Sequence, residues 1–445
     1  MTLLVISPDY ASHLLPLATV ATAWAEAGER VVVATGPATD AIVRRFGFER
    51  EHLQLGRGSN PGVIRAEDQP SGEDDALRGF FDATRLGAVP TLAFQAAARG
   101  ADLLWEPLRV AREVHRVVER VQPDHVIVDH LAFSARLGLT GAGVRHADVV
   151  LGHPSALTVG DEVYGYPPAW PRRLQPTRTS LVDLRRQCEG VRDVFTHEWN
   201  TVLAALDPGA PASEDAFAQT GDLLLLNYPG ELHPPERTAL LSPHAFLGSA
   251  VRTEEPDAEV DAWLARHDGP IVYVSLGSFL SVRSDVLGRI AQALRGMDVR
   301  VALAAGSTSR DALGPIPPSW LVRAELPQPT LLERAVLAVS HGGNNSVTEA
   351  LTAGVPLLLL PMSTDQFAGA ASLETAGLAE ALDPNSATPE ELRAAAERLL
   401  SLDPDISARL ARLSGELTRT SGAQRARAAM LAVSEDPEPV IHSRV

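Results

Sequence analysis

Short apolar runs recur along this chain, and each is followed by a cluster of small and polar residues. Leu3–Ser7, Arg30–Thr35, His125–Asp129, Ala147–Leu151 and Leu223–Asn227 are of this kind in the first half, and Pro270–Ser275, Val299–Ala305, Ala335–Ser340 and Val355–Pro361 in the second. Runs this short, with glycine and polar residues around them, predict strands buried on both faces, as in a parallel sheet. The stretches between them have apolar residues at helical spacing. Leu14, Leu17, Ala18, Ala21, Trp24 and Ala25 fall on one face of a helix that Gly28 ends, so the chain opens with a strand–helix–strand unit. Helical patterns also cover Gly79–Val121, Phe133–Gly141, Val182–Leu206, Val260–Arg266, and Glu390–Val433 with a break at Asp403-Pro404. Alternation of this kind predicts the α/β class with parallel sheets and a C-terminal helical segment.

A chain of 445 residues exceeds one ordinary core. Leu247–Asp257 mixes glycine, proline and acidic residues and reads as a linker. The division expected is therefore residues 1–246, a linker at 247–257, and residues 258–433, whose last helix can pack back on the first domain. The tail 434–445 has no burial pattern and reads as flexible.

The densest chemistry lies in Ala335–Gln366, AVLAVSHGGNNSVTEALTAGVPLLLLPMSTDQ. An apolar strand ends at Ser340, His341-Gly342-Gly343 makes a turn, and Ser346 with Glu349 has the spacing of a capping box at a helix start. Gly354 stops that helix, a second strand follows, and Asp365-Gln366 stands directly after it. In open parallel sheets ligands sit outside the carboxyl ends of strands, and free N–H groups at a helix start favour a phosphate. An imidazole, a hydroxyl and a carboxylate at one strand end, with a carboxylate–amide pair at the next, suit a diphosphate flanked by hydroxyl-rich rings. Taken singly, Ser346 and Glu349 read as helix caps and His341 as a turn residue; it is the whole string that points to a ligand.

Composition narrows the classes. Apolar residues at 45% and charged residues at 21% describe a globular protein, and a formal charge of −17 disfavours a nucleic-acid partner. The single cysteine, Cys188, allows no internal disulfide. Leu3–Ile6 is interrupted by Pro8, Asp9 and His13 and reads as no secretory signal, and no apolar run is long enough to span a bilayer, so a cytoplasmic protein without membrane insertion is expected. Gly56–Gly62, GRGSNPG, lacks dinucleotide-loop spacing and reads as a loop, and Asp403-Pro404-Asp405 reads as a helix stop rather than a metal site. No histidine spacing suggests zinc, so no metal is expected.

The string His341–Gln366, preceded by Leu326-Pro327-Gln328 and Val274-Ser275-Leu276-Gly277-Ser278, resembles the family 1 nucleotide-sugar glycosyltransferases. His13-Leu14-Leu15-Pro16 and Val126-Ile127-Val128-Asp129 extend the resemblance into the first half, where it is weaker. It implies the GT-B architecture of two facing Rossmann-like domains, an acceptor domain followed by a donor domain. It further implies an inverting, metal-independent hexosyl transfer to a small molecule, of the bacterial natural-product kind, with no cofactor beyond the nucleotide sugar. Carried over by position, His341 and Ser346 hold the diphosphate with backbone near Gly342, Gly343 and Asn345, and Ser278 approaches from the other side. Glu349 takes the ribose, Gln328 lies at the nucleobase, and Asp365 and Gln366 bind the sugar. His13 is the general base and Asp129 its orienting partner. Glu325 stands where plant members carry a stacking tryptophan, and Asn344 and Ser363 where they often carry aromatics near the sugar.

Elementary chemistry runs alongside. An imidazole at a helix start is expected to have a depressed pKa and stay neutral, and an aspartate on its other nitrogen fixes the tautomer. His130 and His153 also lie near strand ends and compete for the base. The loop Pro154–Arg178, with Tyr164, Tyr166 and Trp170, reads as a cover over an apolar acceptor pocket to which His153 also belongs, or as a partner surface. A nucleotide-sugar epimerase or hydrolase, or a non-catalytic helper that binds nucleotide sugar, remains an alternative, and the chain is expected as a monomer or homodimer.

Overall fold

The computed structural model describes residues 1–62, 73–99, 103–266 and 268–435, the side chains of 73–76, 99, 278, 279, 434 and 435 excepted. Seven parallel strands form the first sheet: β1 (Thr2–Ile6), β2 (Arg30–Thr35), β3 (Glu49–His52), β4 (His125–Asp129), β5 (Ala147–Val150), β6 (Leu223–Leu226) and β7 (His244–Phe246), in the spatial order 3-2-1-4-5-6-7. Six parallel strands form the second: β8 (Ile271–Ser275), β9 (Arg300–Ala304), β10 (Leu321–Arg323), β11 (Ala335–Ser340), β12 (Leu357–Leu359) and β13 (Ala379–Ala381), in the order 10-9-8-11-12-13. Both are doubly wound, and the strand order reverses between β1 and β4 and between β8 and β11. Register carries the ends together: Ile6 lies beside Val128, and Ser340 beside Ser275.

Side chains of successive strand residues point to opposite faces, so each central strand feeds two cores. Leu3 and Val5 pack with Leu14, Leu17 and Trp24 of the Ala11–Glu26 helix; Leu4 and Ile6 pack on the other face with Val110, Val114 and Val117 of the Pro107–Val121 helix. In the second sheet Val272 and Val274 meet Leu287 and Ile290, whereas Ile271 and Tyr273 meet Val347 and Leu351. The Gly422–Glu435 helix does not stay with the second domain. Ala423, Ala426 and Met430 are buried in the first domain's core beside Trp24 and Leu247, so the chain crosses back after Arg419. Residues 247–257 carry no helix or strand, and of the tail 434–445, residues 436–445 lie outside the described residues.

Four strands escape the hydrophobic pattern: β3, β7, β10 and β13, all at or next to sheet edges. Each is only three or four residues long, too short to show an apolar run; β3 reads EREH and pairs through backbone, with Arg30 bridging Glu49 at 2.6 Å. The connection 315–329 accordingly contains β10. The helical stretch 390–433 is broken twice, at Asp403, whose side chain accepts the N–H of Asp405, and again at Thr420. No helix among the described residues is long and apolar enough to cross a membrane.

The returning helix gives a direct test. Ala426 is fully buried, and an aspartate there would bury an unpaired charge. Ala426→Asp is expected to cost at least about 3 kcal/mol in urea unfolding; a loss below about 1 kcal/mol would show that this helix does not dock as described.

Candidate active site

The carboxyl ends of both sheets open onto one cleft of ≈ 1000 Å³ lined from both domains. The two points where strand order reverses face each other across it. On one side His13, Asp129 and His130 line it; on the other Ser275, Gly277, Gln328, His341, Gly343, Asn345, Ser346, Asp365 and Gln366 do.

His13 lies in the first turn of its helix and Asp129 is the last residue of β4. Their side chains meet at 2.6 Å, Nδ1 to Oδ2. Asp129 is fully buried, and its other oxygen accepts the N–H of Leu131 at 2.9 Å. The His13 ring keeps 27% of its surface exposed. Burial acts to lower its pKa, but the charge and hydrogen bond of Asp129 together outweigh it, and the ring is held above the usual 6.5. The depression expected from the helix start is therefore not found: a carboxylate at hydrogen-bond distance is a full charge, whereas the helix end offers a partial one. Because Nδ1 faces the carboxylate, Nε2 is the nitrogen left to serve the cleft.

The competing histidines are different in kind. His130 lines the cleft but is buried; neither ring nitrogen makes a hydrogen bond, Nδ1 lying 3.8 Å from Asp129, and burial pulls its pKa down to about 4. His153 is outside the cleft lining, packed edge-on against Tyr228 at 4.8 Å, with burial taking its pKa to about 3. Trp170 likewise turns away and packs on Phe367 at 4.9 Å. Both side chains are held by packing against aromatic rings outside the cleft lining, Tyr228 and Phe367. Tyr164 and Tyr166 do line it, Tyr164 stacked on Phe217 at 3.9 Å.

On the second domain's side, the helix Asn344–Thr352 begins two residues before Ser346, with Gly343 as its N-cap and no capping side chain. Ser346 and Glu349 thus sit inside the helix rather than in a capping box, and the first-turn N–H groups are left for a ligand. His341 lies between two glycines. A methyl group on Gly343 would stand 2.5 Å from its Nε2 and one on Gly277 2.8 Å from its Cε1, so only glycine admits the ring there. Gly342 makes the turn with φ +85°. Burial lowers the His341 pKa to about 4, and its Nδ1 has no partner. The side chain of Ser278 lies outside the described residues.

Glu349 is 5% exposed and its two oxygens are both engaged, by Gln328 Nε2 at 2.5 Å and Arg252 at 2.7 Å. Burial raises its pKa, and Arg252 and Gln328 oppose that. It faces a side cavity of ≈ 100 Å³ shared with Ser12, Pro16 and Arg252 rather than the main cleft. Arg252, from the linker, was invisible to sequence reasoning: an isolated arginine in an acidic stretch carries no signal. Ser346 Oγ reaches Gln328 at 3.4 Å. Trp320 is buried in the second core, and the exposed Glu325 lines the cleft in its stead.

Asn344, Asn345 and Asp365 bridge the domains. Asn344 Nδ2 donates to the carbonyls of Leu151 and Asn227, each at 2.8 Å. Asn345 donates to the Ser12 carbonyl at 3.3 Å, and Asp365 accepts the N–H of His153 at 2.5 Å. Gln366 turns its oxygen onto the N–H groups of Met362 and Ser363 at 3.0 and 3.2 Å, bracing the loop it follows. Ser363 is buried at the cleft edge. Among the described residues no group of three or more His, Cys, Asp or Glu side chains is placed to hold a metal ion.

Comparison with known proteins fits this geometry. Residues 193–414 match the family model described as UDP-glucoronosyl and UDP-glucosyl transferase. The chain is 30% identical over 186 residues to the NDP-glycosyltransferase YjiC of Bacillus subtilis, covering 41% of this chain and 46% of that one, so it spans about half the length of that relative. It is 26% identical over 431 residues to the 4'-demethylrebeccamycin synthase of Lentzea aerocolonigenes, covering 91% of this chain and 92% of that one. Among solved structures, the glycotransferase of kitacinnamycin superposes with a TM-score of 0.67 at 21% identity, over 98% of this chain and 99% of the other. With both doubly wound sheets and the donor-side motif in place, the chain belongs to the family 1 glycosyltransferases of GT-B fold.

Proposed function

We propose that this protein is an inverting glycosyltransferase that moves a sugar from a nucleoside diphosphate to a hydroxyl of a small apolar or aromatic acceptor, of the natural-product kind. The observation that carries the reading is the opposition of two sites across one cleft: a carboxylate-held imidazole at one sheet's reversal point, and an uncapped helix start beside a half-buried imidazole at the other's. A binding protein would need only the second.

In this reading His13 Nε2 takes the proton of the acceptor hydroxyl while Asp129 holds Nδ1 and stabilises the imidazolium that forms. The acceptor oxygen bonds to the anomeric carbon, and the bond from that carbon to the diphosphate oxygen breaks on the opposite face, inverting the centre. The electron pair leaves on the diphosphate, whose charge meets the N–H groups of the Asn344–Thr352 helix, the Ser346 hydroxyl and His341. Neutral in the empty site, His341 gains proton affinity beside a diphosphate, because an opposite charge favours its protonated form. This charge balance needs no metal ion. Tyr164, Tyr166 and the exposed Leu131 supply the apolar wall for the acceptor.

A donor panel of UDP-, TDP- and GDP-sugars against mixed acceptors, read by mass spectrometry, tests the reading. Transfer is expected in the wild type and about 10²–10⁴-fold slower transfer in His13→Ala. If His13→Ala transfers to a hydroxyl acceptor at the wild-type rate, the base is misassigned. If nucleoside diphosphates leave the melting temperature unmoved, the donor site is wrong. Nucleoside diphosphate release that outpaces any transfer would favour a hydrolase instead.

The pH profile follows from the His13 shift. A base works only when deprotonated, so kcat/KM falls as pH drops through its pKa, with a midpoint above 6.5. Asp129→Asn removes the raising influence and leaves burial, which lowers the pKa, so the acidic limb moves to lower pH while the plateau falls by about 10²-fold or more. A limb that stays in place would dissociate this pair from catalysis.

Gly343→Ala is a second donor-side test. Its φ of −60° suits alanine, so the expected weakening of nucleoside diphosphate binding, about tenfold by calorimetry, comes from displacing the His341 ring. Unchanged affinity would remove His341 from the site.

A further inference from the structure

The helix that carries His13 has a proline in its interior, Pro16, beyond the first turn where proline is tolerated. Proline has no N–H, so the helical bond that residue 16 would make to the carbonyl of Ser12 is missing. That leaves an acceptor free at the residue directly before His13. The other domain uses it: Asn345 Nδ2 donates to Ser12 O at 3.3 Å.

Asn345 is the second residue of the helix whose uncapped start faces the cleft. Its Oδ1 accepts from Asn227 Nδ2 at 3.2 Å, and Asn227 Oδ1 in turn holds the N–H of Ala250 in the linker at 2.9 Å. The first residue of the same helix, Asn344, spends its amide on the carbonyls of Leu151 and Asn227, just past the ends of β5 and β6. Asn344 and Asn227 are buried, at 7% and 1% exposure, so water does not compete for these bonds. The two helices that hold the opposed groups are therefore joined directly, through a carbonyl that Pro16 leaves without its helical N–H donor.

We propose that Pro16 and Asn344 are positioning residues that register the His13 helix of one domain on the diphosphate-facing helix of the other. This rests on the reading of His13 as base and of the Asn344–Thr352 helix as the donor's anchor. Neither Pro16 nor Asn344 need touch the reacting atoms; each acts through the distance between the base and the anomeric carbon, where an error of about 1 Å can cost on the order of 10²-fold in rate.

Pro16→Ala separates positioning from folding. Alanine restores the N–H, the Ser12 carbonyl is satisfied within its own helix, and helix propensity improves, so the melting temperature is expected to hold or rise. Transfer kcat is expected to fall by about tenfold or more, with nucleoside diphosphate affinity within about twofold of wild type. The ratio of donor hydrolysis to transfer should rise, since water reaches the sugar without needing the aligned base. Asn344→Ala, which loses two cross-domain bonds, should show the same split with some loss of melting temperature. A stable Pro16→Ala enzyme with wild-type kcat and an unchanged hydrolysis ratio overturns the proposal, as does a kcat loss that merely tracks donor affinity. A wild-type protein that neither binds nucleoside diphosphate nor transfers sugar would overturn the underlying reading of the site, and this proposal with it.

Discussion

Parallel strands deliver all their carboxyl ends to the same edge of a sheet, and where strand order reverses the two flanking connections diverge and leave a gap. This chain contains that geometry twice. The gap between β1 and β4 receives His13 and Asp129, and the gap between β8 and β11 receives Gly277 and His341. Every other feature of the cleft depends on the two edges being held face to face. The crossing helix Gly422–Glu435 does this from behind, through apolar burial, and the asparagines of the Asn344–Thr352 helix do it from within, through buried hydrogen bonds.

The cleft shares the chain's acidic character: Asp129, Glu254, Glu325 and Asp365 line it against Arg45 and Arg252. A protein with a formal charge of −17 could draw in a diphosphate only by local means. The cleft offers an uncapped helix start and a half-buried imidazole, while the nearby arginine, Arg252, is committed to Glu349 and Glu254 at 2.7 Å each. The histidines show how environment separates like residues. Burial alone drives His341 down to about 4, whereas Asp129 overcomes burial at His13 and holds it above its usual value. One imidazole is thus held neutral by desolvation, and the other has its proton affinity raised by a neighbouring carboxylate.

The interdomain bonds bear on how the residues of the donor motif are to be understood. Asn345 and Asp365 sit where a phosphate and a sugar hydroxyl are expected, yet both spend hydrogen-bonding capacity on backbone of the facing domain. Glu349 is likewise paired on both oxygens. A donor entering this cleft would therefore meet polar groups already in use and share or exchange their partners, so ligand binding and domain contact draw on the same side chains.

The sequence alone determined the α/β class, most of the central strands, and the clustering of His341, Ser346, Gln366 and their neighbours after strand ends. These rest on local patterns: apolar runs, glycine punctuation and residue types read a few positions apart. What local pattern could not supply is whatever depends on partners distant in the chain. The edge strands β3, β7, β10 and β13 are three or four residues long, too short to leave an apolar signature. The pairing of Glu349 with Arg252 spans 97 residues, and nothing in the linker's composition announces it. His153 and Trp170 looked like cleft residues until packing turned them inward, and the His13 pKa followed Asp129, 116 residues away, rather than its own helix. Only the tertiary structure decides which charge lies beside which imidazole, because Coulomb and hydrogen-bond terms act through space while sequence patterns report only what lies along the chain.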